Sequence, residues 1–188
     1  MRTNTASTIF QSRGNIELLS RDKIILLASQ NPPPSIEETA VQFFRLLKKQ
    51  PITMACGWQS KLEKVLFKLA ETGDKAAYIH YLARNINTFS PDAHQQKLID
   101  HNKLLVLAPE ISEDRPVSYL VDRRDQLMFN QINKILLLYV RQDGRLDQYL
   151  KTGMFSTHQL YILDHQEHEK FYKGDMVVLN THDINHLI

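Results

Sequence analysis

Short apolar runs alternate with amphipathic stretches along nearly the whole chain, and this alternation constrains the fold more than any other feature. Residues 23–29 form an apolar run without a period of two, the pattern of a strand covered on both faces. Asn31-Pro32-Pro33-Pro34 then forces a loop. Ser35 and Glu38 have capping-box spacing, and Ile36, Ala40, Phe43, Phe44 and Leu47 line up as one helical stripe that Pro51 ends. The cycle repeats with a strand at 52–56 and a helix carrying Leu62, Val65, Leu66 and Leu69, opened by the pair Ser60 and Glu63 and closed by Gly73. Further strands are expected at 76–83, 104–108, 135–140, 160–163 and 176–179. Ser90-Pro91 fits a helix start, residues 118–133 a longer helix, and residues 144–150 a short one.

Strands separated by helical crossovers imply an α/β fold, a three-layer doubly wound and mostly parallel sheet of about seven strands in a Rossmann-like arrangement. The 188 residues suffice for one such domain, expected over 14–188, behind a flexible N-terminal arm at 1–13 that shows no clear period. There is no apolar run long enough to span a bilayer and no apolar signal core near Met1, so a cytoplasmic protein without a membrane partner is expected. The single cysteine, Cys56, excludes an intrachain disulfide framework and reads as a small buried core residue. A net charge of +2 neither demands nor excludes nucleic acid, so only a local patch can attract phosphate.

Open parallel sheets bind ligands beyond the carboxyl ends of their strands. The residues standing there are Ser29 and Gln30, then Gly57, Trp58, Gln59 and Ser60, then Arg84 and Asn85, Pro109 and Glu110, and residues 141–145. Small and polar residues after the first two of these strands leave backbone amides suited to an anion. Trp58 is placed either to stack on a base or to fill the core. Neither G-x-G-x-x-G nor G-x-x-x-x-G-K-[ST] is present, which disfavours a nicotinamide enzyme and a P-loop NTPase. His158, His165, His168, His182 and His186 crowd the last part of the chain, without the closed ligand set of a zinc site, and read as surface residues. No cofactor, metal or catalytic residue is expected.

In their order, several short motifs resemble the DNA-processing protein A (DprA/Smf) family. Gly14-Asn15 with Leu18-Leu19 matches its G-N-x-x-L-L, Ala28-Ser29-Gln30 stands at G-S-R, and Cys56-Gly57-Trp58-Gln59-Ser60 at S-G-x-A-x-G. Leu82-Ala83-Arg84-Asn85-Ile86 stands at L-G-x-G-[LI], His101 through Val106 at the start of a strand, and Arg115-Pro116 through Met128 at the stretch ending in R-N-R-[IL]-I. Asp143-Gly144-Arg145-Leu146 stands at S-G-[ST]-L, and Lys173-Gly174-Asp175 near the family's G-A dipeptide. The resemblance runs over about residues 14–180. It implies an extended Rossmann-like domain of the SLOG-like group, single-stranded DNA as partner, a recombinase such as RecA as a further partner, and a homodimer. It also implies nucleic-acid or phosphate binding at Ser29, Gln30, Gly57, Trp58, Ser60, Arg84, Arg123, Arg124 and Gly144. Guanidinium groups suit such a role because they bind phosphate as a two-pronged fork. The chain departs from the family where Gln30 replaces the arginine of G-S-R, and where Asp125 and Gln126 replace the last two residues of R-N-R. The alternative is a small nucleotide-derived ligand, sensed or processed. The phosphoribohydrolases of this fold group carry P-G-G-x-G-T-x-x-E, and this chain lacks it.

Overall fold

A computed structural model describes residues 2–5, 8–110, 118–172, 174–180 and 183–187. Nine strands form one sheet: β1 (Arg2–Thr5), β2 (Thr8–Gly14), β3 (Lys23–Ala28), β4 (Thr53–Cys56), β5 (Ala77–Tyr81), β6 (Leu104–Pro109), β7 (Lys134–Tyr139), β8 (Gln159–Leu163) and β9 (Val177–Leu179). Their order across the sheet is β1-β2-β6-β5-β4-β3-β7-β8-β9. All seven expected strands are present, and from β6 to β9 every pairing is parallel. The helices are α1 (Pro34–Leu47), α2 (Lys61–Lys68), α3 (Ala93–Asp100), α4 (Ser118–Gln131) and α5 (Arg145–Lys151).

Alternate residues of each strand face opposite layers, which is why the strands read as unbroken apolar runs. Ile24, Leu26, Met54, Tyr78 and Leu136 pack with Phe43, Phe44, Leu62, Leu66 and Leu98 of α1, α2 and α3 on one face. Ile25, Leu27, Ile79, Leu105 and Leu137 pack with Leu127, Met128 and Leu146 of α4 and α5 on the other. The chain winds from β3 through β4 and β5 to β6, then crosses back to place β7 on the far side of β3. The crevice between β3 and β7 is therefore the point where the strand order reverses, the usual ligand position in such sheets.

The N-terminal segment differs from the expected flexible arm. Residues 2–5 and 8–14 are strands β1 and β2, and β2 runs antiparallel to β6 from Phe10 opposite Pro109 to Gly14 opposite Leu105. Phe10 is fully buried and anchors the pairing. Gly14 takes a positive φ of 99°, and a β-carbon there would collide with the Leu104 carbonyl.

Two helix starts also differ. Pro33 caps α1 without a side-chain bond and Pro34 lies in its first turn, so Ser35 sits inside the helix rather than at its cap. Proline tolerates that first turn because its missing donor would find no intrahelical partner there. Asp92, not Ser90, caps α3, in a reciprocal box with Gln95. The Ser60–Glu63 box of α2 is present as expected. Arg115, Pro116, Lys173 and His182 lie outside the described residues.

Candidate functional site

A cleft of about 530 Å³ opens over the carboxyl ends of β3, β4, β5 and β7. Ser29, Gln30, Ser60, Arg84, Arg124 and Gly144, six of the nine expected site residues, line it. Gly57, Trp58 and Arg123 do not. Trp58 takes a left-handed backbone, φ 51°, which turns its indole inward. Its Nε1 donates to the Ile79 carbonyl at 3.2 Å and its ring stacks on Phe67 at 4.7 Å, so it is a core residue and not a platform for a base. Arg123 is exposed on α4 away from the cleft, because adjacent helical residues point about 100° apart and only Arg124 faces the sheet.

The backbone amides expected to hold an anion are largely taken by a side chain of the protein itself. Glu63 Oε1 accepts from Ala28 N at 2.9 Å, and Oε2 accepts from Gln59 N at 2.8 Å and Ser60 N at 3.0 Å. This buried carboxylate thus ties the end of β3 to the start of α2, where the helix dipole favours negative charge. Ser29 N donates to the Tyr139 carbonyl, and Ser29 Oγ accepts from Arg141 N at 3.1 Å. Gly144 N donates to the Arg141 carbonyl.

The cleft arginines fall into two pairs. Arg124 is buried, and its Nε and Nη2 donate to Asp125 Oδ1 at 2.8 and 2.6 Å. Asp125 Oδ2 accepts in turn from Arg145 Nη2 at 2.9 Å and Tyr149 Oη at 3.2 Å, so one buried carboxylate organises both arginines. Arg145 also meets the exposed Asp122 at 2.6 Å. The guanidinium groups of Arg84 and Arg141 are different: among the described residues neither makes an ion pair or a hydrogen bond. They stand beyond the ends of β5 and β7, on either side of β4 and β3, as two cations without a counter-charge among the described residues.

His80, on β5, lines the same cleft. It is 7 % exposed, wedged edge-on against Phe67 and Phe89, and neither ring nitrogen makes a hydrogen bond. Burial, with Arg124 and Arg84 adding repulsion, pushes its pKa down to about 3 against a slight opposing effect of the Gly57 backbone. The ring is therefore neutral at physiological pH. An imidazole inside an apolar strand was the one sequence signal for this residue, and the strand-end reading passed over it.

Cys56 is fully buried as expected, and its Sγ accepts from Trp58 N at 3.1 Å. Burial holds the thiol well above its ordinary pKa, which keeps it protonated and unreactive. His168 is buried rather than on the surface, with Nδ1 against the Leu163 carbonyl at 2.7 Å and Nε2 accepting from Val140 N at 3.3 Å. No group of three or more possible metal ligands occurs among the described residues. Nor is any helix among them long and apolar enough to cross a membrane.

No protein-family model matches the chain, and no curated protein does. Solved structures do. DNA processing protein A (DprA) from Streptococcus pneumoniae is similar with a TM-score of 0.73 at 15% identity, over 95% of this chain and 65% of that one. The chain thus spans just under two thirds of that protein's length. DprA from Helicobacter pylori, described for its single-stranded DNA binding mode, is similar with a TM-score of 0.74 at 14% identity, over 98% of this chain and 89% of that one. The molybdenum cofactor binding protein of Rippkaea orientalis is similar with a TM-score of 0.53 at 11% identity, over 89% and 94%. The expected likeness to DprA thus holds at the level of fold: this is a divergent chain on the DprA-like Rossmann scaffold.

Proposed function

We propose that the chain is a binding module without catalytic chemistry that takes single-stranded nucleic acid at the carboxyl ends of its strands. One observation carries this reading: Arg84 and Arg141 line the cleft with guanidinium groups that no carboxylate of the described protein neutralises. Arg84 is half-buried and Arg141 exposed, so both guanidinium groups stand open to a ligand, and a phosphate is their natural counter-charge. The described DNA binding of the Helicobacter pylori protein, on the same fold, supports nucleic acid as the source of that phosphate. The motif resemblance extends the reading to a cytoplasmic homodimer that engages a recombinase, which light scattering and co-sedimentation test separately. Titration of a labelled single-stranded oligonucleotide across a salt series tests the binding itself. Absence of binding at low salt refutes it.

A further inference from the structure

Resting on that reading, we propose that the cleft is a pocket for a phosphomonoester, the terminal phosphate of a nucleotide unit, rather than for an internal phosphodiester of a strand passing through. Size is the first argument. A cleft of about 530 Å³ matches one small ligand, whereas a continuous single strand needs a groove for several nucleotides.

Charge is the second argument. Four arginines line the cleft against the carboxylates of Glu63 and Asp125, a formal excess of two positive charges. Asp122 also meets Arg145 at the rim, where both side chains are partly in solvent and the pair is screened together; Arg84 and Arg141 remain the two cations without a partner among the described residues. A phosphomonoester carries about −1.5 to −2 at pH 7, while a diester carries a single charge and would leave one guanidinium unmatched.

The donors are the third. Glu63 already consumes the amides of Ala28, Gln59 and Ser60, which leaves the arginine side chains as the cleft's charged donors. Among the described residues Arg84 and Arg141 have no ion pair, while Arg124 holds Asp125 through Nε and Nη2. His80 adds a neutral ring in the cleft wall, and its buried nitrogens have no well-formed hydrogen bond, the Gly57 backbone being the nearest acceptor. Leu82, Val121 and Leu146 supply an apolar wall for the rest of the nucleotide.

The test compares one labelled oligonucleotide in 5′-phosphorylated, 3′-phosphorylated and unphosphorylated forms, with deoxyadenosine monophosphate and inorganic phosphate as competitors. At least about tenfold tighter binding of one phosphorylated end is expected, a factor set by one charge-assisted contact of the cleft. Arg84→Ala is expected to abolish most of that preference. His80→Phe keeps the ring packing and removes the nitrogens; a reduced preference in this variant, with an unchanged melting profile, assigns His80 to the site, and an unchanged preference removes it. Binding of the mononucleotide without binding of any oligonucleotide supports the phosphomonoester pocket and refutes the nucleic-acid reading. Equal binding of all three oligonucleotides, without competition by the monophosphate, overturns the pocket and leaves the nucleic-acid reading standing. No binding of any probe overturns both.

Discussion

The guanidinium of Arg124 lies directly against the bare α-carbon of Gly57: a β-carbon at residue 57 would stand 2.6 Å from Nη1. The missing side chain at one strand end thus makes room for a buried arginine on α4, and the contact ties the β4–α2 turn to the helix that carries Asp125. Gly57→Ala is expected to destabilise the fold by about 1–3 kcal/mol, the usual cost of overpacking. Arg124→Ala in the same chain is expected to relieve part of that cost, because the alanine β-carbon then meets no guanidinium. Chemical denaturation of the two single variants and the double variant measures the coupling. Strict additivity contradicts the contact.

Asp125 restrains both Arg124 and Arg145, and it is the carboxylate that stands where the DprA/Smf motif has an amide. Asp125→Asn is expected to weaken the fold by about 1–3 kcal/mol, because charge-assisted bonds become neutral ones. The same variant is expected to bind a single-stranded oligonucleotide several-fold more tightly, since the cleft loses one negative charge. Parallel denaturation and anisotropy measurements read the two effects. Weaker binding by a folded Asp125→Asn protein contradicts the assignment of the cleft as the anion site.

How much of this was legible in the sequence follows from how each residue is buried. The seven parallel strands were legible because both their faces are covered, which forces dense apolar runs such as residues 24–28. The antiparallel pair β1 and β2 was not, since Phe10 is its one side chain that shows a strong buried anchor among those described. Strand-end logic located the cleft and found Ser29, Gln30, Ser60, Arg84 and Gly144 in its wall. For Trp58 it leaves stacking on a base and filling the core both open, and the left-handed backbone decides for the core; Arg123 comes from the motif resemblance, and one step along a helix points it away from the cleft. Glu63 was legible as half of a capping box, but not as the acceptor for Ala28, a contact 35 residues away in sequence.

His80 gives a pH dependence with a definite sign. Its pKa falls from an ordinary value near 6.5 to about 3 in the folded chain, so the unfolded chain binds more protons between those values. Stability is therefore full above about pH 6.5 and is lost as the pH falls toward 3, at up to about 1.4 kcal/mol per pH unit for one group. Burial shifts His168 in the same direction, so it adds to the slope. Urea denaturation between pH 7 and 5 is expected to show the decline, and His80→Phe to make it shallower. An unchanged slope in that variant contradicts a neutral buried His80.

Salt-dependent titration of a labelled single-stranded oligonucleotide, with the native chain, Arg84→Ala and Arg141→Ala, measures whether the two cleft arginines hold phosphate. Each arginine that contacts a phosphate contributes about 0.7 to the slope of log affinity against log salt for single strands. The account predicts binding that weakens steeply with salt, and a slope shallower by about that amount in each variant. A native chain that fails to bind at low salt contradicts the account. So does a native chain that binds with a slope neither variant changes.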